Sequence, residues 1–360
     1  MKIAISTGGG DCPGLNAVIR GVVRAAVYQY GWEVVGIRDG LDGLVHGWDP
    51  VPLGLDQVKG ILSRGGTIIG TTNKGNPFAY EVEENGKKVL KDLSDKVLEN
   101  WRKLGADALV MIGGDGTLGI GRKLMQKGIP AVFVPKTIDN DVGATDATFG
   151  YHTAVHIVTE ALDRLHTTAE SHRRAMVVEV MGRYAGWIAL EAGIAGSADV
   201  ILLPEIPYDL DAVFHKIEGR KKLGRNFSVV VVAEGAIQKE GTRVVKVAAD
   251  DNAGIERLGG IGAVVARQIE EGLGIETRTV VLGHVQRGGT PTHTDRILGS
   301  RFGVQAVELI RNREFGKMVA LKGQEIVSVP VERAIDNLRL VDPDSQLVRT
   351  AEALGICCGR

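Results

Sequence analysis

Short runs of consecutive apolar and β-branched residues recur along the chain. The runs at 2–6, 33–37, 108–112, 131–134, 176–180, 200–203, 229–233 and 279–282 each hold four or five residues. They lack in–out alternation, which predicts strands covered on both faces. Between most of them lie helix-length amphipathic segments, such as Leu15–Tyr30, Ser94–Leu104 and Thr153–Thr168. Apolar strands alternating with helices predict βαβ units around buried parallel sheets, an α/β fold. A length of 360 residues suits about two domains of ~150 residues, each with its own core. Asn73–Asp92 is polar and reads as an exposed excursion. Residues beyond about 340 read as a tail without a recurring pattern.

Composition adds one anomaly: 49 of the 360 residues are glycine, roughly twice the usual ~7%. Many of them cluster where the predicted strands end: Gly8-Gly9-Gly10, Gly113-Gly114 with Gly116, Gly182 with Gly186, Gly235, Gly283, and Gly288-Gly289. Ligands of open parallel sheets bind beyond the carboxyl ends of strands. Glycine there lets backbone N–H groups come close to an anion. Any single cluster is explained by a tight turn. The set at equivalent positions points to a phosphorylated ligand.

Charge and cysteine content remove other classes. Lys and Arg number 43 against 44 Asp and Glu, a net charge of −1. Nucleic-acid binding by charge needs a basic excess or block. The densest basic run, Arg220-Lys221-Lys222 with Arg225, reads as a solvated helix end, so no nucleic-acid partner is expected. No stretch approaches the ~18 apolar residues of a membrane span, and no membrane partner is expected. The opening Met1–Ser6 runs directly into glycines and does not read as a secretion signal. Three cysteines, Cys12, Cys357 and Cys358, cannot form a disulfide framework, and a cytoplasmic setting is expected.

The chain has no Gly-x-x-x-x-Gly-Lys-Ser/Thr loop and no protein-kinase set. Its first loop, Gly8–Gly14, spaces glycines wrongly for a dinucleotide fingerprint and carries Asp11 where a pyrophosphate would be repelled. It does contain Gly113-Gly114-Asp115-Gly116-Thr117 after a strand. Two glycines admit phosphate, the acid suits Mg²⁺, and the hydroxyl and following helix offer donors. An Asp capping a helix after a turn is the structural alternative. The pattern resembles a phosphate-donor loop of phosphofructokinases, NAD kinases and lipid kinases. The next strand ends in Lys136-Thr137-Ile138-Asp139-Asn140-Asp141. A carboxylate there could take the proton of an attacking hydroxyl, and Lys136 could neutralise a transferring phosphoryl group. Arg183 and Arg287 stand in glycine-flanked strand ends, and Arg174 and Arg278 stand near the strands. A guanidinium matches a pair of phosphate oxygens.

Five segments together resemble the 6-phosphofructokinase family: Gly9–Asn16, Gly113–Thr117, Thr137–Asp141, Val178–Arg183 and Gly283–Gly289, in the family's order and from residue 1 to about 340. The resemblance implies two similar doubly wound, mostly parallel-sheet domains with the active site in the cleft between them. The expected division is 1–149 plus 285–329 for the phosphate donor and 150–284 plus 330–360 for the sugar phosphate. It implies Mg-ATP and fructose 6-phosphate as partners. Gly10, Gly114, Asp115, Gly116 and Thr117 would bind the donor, with Asp115 toward Mg²⁺. Asp139 would be the general base for the sugar 1-hydroxyl, Asp141 would assist near the metal, and Lys136 would join the catalytic set by offsetting charge on the phosphoryl group. Thr137, Ile138, Met181, Gly182, Glu234, His284 and Arg287 would hold the sugar phosphate, and Arg183 would stabilise the transition state. Arg174 and Arg278 would arrive from a neighbouring subunit of a homodimer or homotetramer.

Position 116 speaks to the donor. An Asp there in this family occupies the space of the ATP α-phosphate, and Gly116 leaves that space open, which favours ATP. Lys136 resembles the branch that uses pyrophosphate. The family's Arg-Phe pair for the nucleotide is absent around Asn73-Lys74, where Lys74 could substitute. In the family's effector site Arg20, Arg24 and Arg225 are present, but Leu55 and Leu223 stand in place of basic residues, which argues against the family's usual effector regulation. His152, His156 and Glu160 share one helical face at metal-ligand spacing, although core-edge or solvated histidines are the plainer reading. The alternatives are a pyrophosphate-dependent phosphotransferase on the same sugar, an NAD kinase, and a non-catalytic sugar-phosphate sensor. The sensor reading expects a missing acid, and Asp115 and Asp139 are both present.

Overall fold

The computed structural model describes residues 1–247 and 257–360. The chain divides into two compact α/β units. The first comprises Met1–Ile138, Val142–Thr153 and Arg287–Arg339. The second comprises Asp139–Asp141, Ala154–Gln286 and Leu340–Arg360. Residues 330–339, expected with the sugar domain, stay with the first unit. There Glu325–Pro330 pairs with Lys317–Lys322, and Gly143 N donates to the Ala334 carbonyl at 3.2 Å.

The first unit is built on an eight-stranded sheet. Its order is Glu325–Pro330, Lys317–Lys322, Ala131–Thr137, Ala108–Gly113, Lys2–Thr7, Glu33–Gly36, Val51–Pro52, with Phe149–Gly150 beside Ala131–Thr137. The pairings among the middle strands are parallel, and the outermost at each edge is antiparallel. All six residues of Ala108–Gly113 are buried, as a strand covered on both faces requires. From Lys2–Thr7 the chain goes to one neighbour, Glu33–Gly36, and later returns to the other side at Ala108–Gly113. The strand order therefore reverses between Lys2–Thr7 and Ala108–Gly113, and ligands of open parallel sheets bind beyond the carboxyl ends at such a point.

The second unit holds a four-stranded, wholly parallel sheet in the order Val200–Leu202, Ser228–Ala233, Ala175–Val180, Thr277–Val281. Its reversal lies between Ala175–Val180 and Thr277–Val281, because the intervening strands build only to the other side. The two sheets share a winding principle but differ in size.

The amphipathic pattern sets helix bounds well. Leu15–Tyr30 and Ser94–Leu104 are helices at those residues, each closed by a left-handed glycine, Gly31 and Gly105. The third helix is longer than its apolar pattern, Tyr151–His172. Basic residues Arg220, Lys221 and Lys222 do form the last turn of a helix, Leu210–Lys222. The polar excursion contains an antiparallel ribbon, Tyr80–Glu84 with Lys87–Lys91, turning at Asn85-Gly86, both at positive φ. The end of the chain is ordered. Ser345 caps the helix Gln346–Ala353, and Cys357 extends the second sheet beside Val200, its carbonyl accepting from Ile201 N at 2.9 Å. The three cysteines are free thiols.

Candidate active site

In the first unit the two strands at the reversal are tied at their carboxyl ends, where Gly8 N donates to the Ile112 carbonyl at 2.9 Å. Thr117, in the first turn of the helix Asp115–Gln126, wedges between the two glycine loops. A Cβ on Gly113 would lie 2.3 Å from Thr117 Cβ, so no larger residue fits there. The helix starts at the loop, so its unpaired amides and positive dipole end lie at the carboxyl ends of these strands. Asp115 and Gly116 are exposed in that first turn, and a Cβ on Gly116 would meet no atom within 4 Å.

The same loops carry positive charge. Lys136, only 3% exposed, donates through Nζ to the Gly10 carbonyl. Arg287 Nη1 donates to the Asp11 carbonyl at 3.2 Å, and a Cβ on Gly10 would lie 2.8 Å from that nitrogen. Thr71 Oγ1 donates to the Gly9 carbonyl at 2.7 Å, and Gly9 N donates to the Thr72 carbonyl at 3.0 Å. The 71–74 loop, and Lys74 with it, is thus held against the first glycine loop. Gly10, Lys74, Gly114, Asp115, Gly116, Thr117, Lys136, Thr137 and Ile138 all belong to this unit. Arg287, expected among the sugar ligands, is seated here against Gly10 and Asp11.

The second unit gathers a different set. Met181, Gly182 and Arg183 follow Ala175–Val180, Glu234 follows Ser228–Ala233, and Gly283 and His284 follow Thr277–Val281. Gln286 Oε1 accepts from Met181 N at 3.2 Å, joining the two loops at the reversal. Gly235 N donates to the Gly182 carbonyl at 3.1 Å, drawing the Glu234 loop to the same place. Asp139 and Asp141 also belong to this unit, with buried Asn140 between them in a left-handed turn, φ 54°.

Arg174 and Arg278 stand apart. Arg174 precedes its strand and Arg278 is the second residue of the neighbouring one, so both lie at the amino ends. They meet at Glu276: Arg174 Nη2 lies 3.2 Å from Oε1, and Arg278 Nη2 pairs with the same oxygen. At ~3.3 Å per strand residue they are roughly 20 Å from the loop that carries Arg183.

Two acids essential to this arrangement escaped the motif reading. Glu179, inside the buried strand, accepts from Gly262 N at 2.8 Å and from Gly260 N at 3.0 Å, at the start of the helix Ile261–Leu273. Its backbone carbonyl accepts from Leu282 N at 3.1 Å. Glu205 accepts from Gly186 N at 3.0 Å and from Val341 N at 2.8 Å, fastening the chain end to the loop after Arg183. Burial pushes the Glu205 carboxyl above its ordinary range. The available signal was an acid set in an apolar run, which demands buried partners.

His156 Nε2 lies 3.6 Å from Glu160 Oε1, both side chains more than half exposed. No group of three or more metal-ligating side chains occurs among the described residues. Burial drives the Cys12 thiol up to about 12, so it is inert as a nucleophile at neutral pH. No helix among the described residues is long and apolar enough to cross a membrane.

These features define a two-unit α/β protein with phosphate-type glycine loops at both strand reversals. The chain belongs to the phosphofructokinase family, whose profile matches residues 2–310. It is 57% identical, over 99% of its length and 97% of the relative's, to ATP-dependent 6-phosphofructokinase 2 of Clostridium perfringens. It is 52% identical, over 96% of its length and 97% of the relative's, to the pyrophosphate–fructose 6-phosphate 1-phosphotransferase of Amycolatopsis methanolica. Among solved structures, Pichia pastoris phosphofructokinase in the T-state superposes with a TM-score of 0.79 at 32% identity, covering 99% of this chain and 37% of that one.

Proposed function

We propose that this protein transfers the terminal phosphoryl group of Mg-ATP to the 1-hydroxyl of fructose 6-phosphate, giving fructose 1,6-bisphosphate and ADP. The observation that carries the choice of donor is the open space around Gly116. The Gly8–Gly10 and Gly113–Thr117 loops would receive the β- and γ-phosphates through backbone amides. The unobstructed first turn at Gly116 leaves room for the α-phosphate. Identity to relatives leans the same way, since the relative named for ATP stands at 57% and the one named for pyrophosphate at 52%. The local steric and charge argument at Gly116 supports the same donor.

Asp139 takes the proton of the 1-hydroxyl as that oxygen bonds to the γ-phosphorus, while the bond to the bridging oxygen breaks and ADP leaves. Arg183 and Lys136 offset charge on the transferring group. Met181, Gly182, Glu234 and His284 orient the sugar. Asp115, a single exposed carboxylate beside a phosphate loop, fits Mg²⁺ carried in by the nucleotide, with Asp141 assisting. The ion supplies charge neutralisation on the phosphates when bound. Arg174 and Arg278 serve the sugar phosphate of a neighbouring subunit. Their distance along the strands from Arg183 supports that reading and a homodimer or homotetramer.

Lys136 favours a second reading, pyrophosphate as donor. A coupled assay for fructose 1,6-bisphosphate with ATP and pyrophosphate side by side tests both. Higher kcat/KM with pyrophosphate would reverse the assignment. Fructose 6-phosphate binding without turnover on either donor would support a sensor instead.

A further inference from the structure

Tyr184 follows Arg183 directly and leaves 42% of its surface exposed. Two guanidinium groups lie over its ring: Arg183, 5.7 Å from the centroid, and Arg243, 4.8 Å from it. Arg243 belongs to none of the five family-like segments. It stands between the strand Ser228–Ala233 and the short strand Val245–Val247. Its Nε is buried and has no hydrogen-bond partner among the described residues. A buried N–H left unpaired is unfavourable, so the aromatic contact is what offsets the cost of holding the guanidinium there. The backbone just before Arg183 is fixed by Gly235 N on the Gly182 carbonyl. Among the described residues no backbone hydrogen bond holds Tyr184 itself in the same way.

We propose that Arg243 is a positioning residue for the acceptor side of the site. It acts through the Tyr184 ring to fix the Arg183-Tyr184 corner. The segment between Ala236 and Val244 thereby becomes part of the machinery that places Arg183. This rests on the kinase reading for its kinetic consequences, but not for its structural ones.

The test uses the full chain with Arg243→Ala, Arg243→Lys, Tyr184→Leu and the double variant Arg243→Ala/Tyr184→Leu. Arg243→Ala should raise KM for fructose 6-phosphate about 3- to 10-fold, the range of a single cation–π contact. KM for ATP should move less than about 2-fold, because the donor loops lie on other strands. Arg243→Lys keeps a cation over the ring and should recover part of the loss. The double variant should be no worse than the more impaired single variant, as residues acting through one contact are not additive. Without any ligand, hydrogen exchange at the amides of 183–185 should accelerate in Arg243→Ala and less so in Arg243→Lys.

Unchanged exchange in Arg243→Ala overturns the proposal, as do fully additive effects in the double variant. Equal rises in both KM values would mark a general loss of structure and also overturn it. If the wild-type protein phosphorylates no sugar, the kinase reading fails. The exchange measurement then decides the positioning role by itself.

Discussion

Arg174 Nη2 lies 3.2 Å from Glu276 Oε1, at the opposite end of the second sheet from Met181-Gly182-Arg183. Both ends of one strand thus carry arginines expected to meet the same kind of ligand, yet one sheet cannot bring them together. The proposed site, completed by a second copy of the chain, would resolve this. Arg174→Ala and Arg183→Ala should each lose most activity alone. Mixing equal amounts of the two variants after dissociation and reassociation should restore about a quarter of the sites, because half of the pairs are mixed and a mixed pair contains one intact combination. Recovery no greater than the sum of the separate variants would refute shared sites, as measured by specific activity after reassembly.

Gly116→Asp places a carboxylate in open space at the first turn of the donor helix, so the fold should tolerate it. Its charge faces the α-phosphate of a nucleotide and not pyrophosphate, which lacks that group. The ratio of kcat/KM for ATP to that for pyrophosphate should fall by about 10-fold or more. Unchanged ATP kinetics would remove position 116 from donor choice.

Asp139→Ser removes the proposed base and keeps a small polar group in the turn. The kcat should drop by about 10²- to 10⁴-fold with a modest change in KM. A near-normal kcat would reject Asp139 as the base.

Glu179→Ala should cost about 1–3 kcal/mol per buried amide left without an acceptor, read from urea unfolding. Gly260 N and Gly262 N both lose their partner. Glu179→Gln retains one oxygen and should lose less. Equal stability of Ala, Gln and wild-type proteins would show that these amides find water instead.

Burial pushes the Glu205 carboxyl above its ordinary range, only partly offset by the backbone amides that bond it. A group with a raised value in the folded state contributes stability at low pH and loses it as pH rises through that value. The stability of Glu205→Gln relative to wild type should therefore improve from acid to neutral pH. Denaturant midpoints that differ by a constant across that range would refute the assignment.

Some of this was local and readable. Valine-rich runs such as Val229–Val232 determined strands, because only a both-sides-buried position tolerates unbroken apolar sequence. Helix bounds followed from periodicity and a closing glycine. The ribbon around Asn85-Gly86 was not read from the sequence, because its polar flanks hid the strands inside an exposed excursion. The glycine-rich ends and the acids and arginines among them fixed what chemistry was available.

The rest depended on which strands lie side by side. Strand order is set by long-range pairing, and nothing within a strand's own sequence records its neighbour. Only the tertiary structure put the reversals at the Gly8–Gly10 and Gly113–Thr117 loops, and at Met181–Arg183 and His284. It seated Arg287 on Gly10 although His284 is three residues away in sequence, because the chain changes unit between them. It also sent Arg174 and Arg278 to the far end of their sheet and made the last residues a sheet edge beside Val200. Sequence named the groups; burial and pairing over hundreds of residues decided which of them share a place.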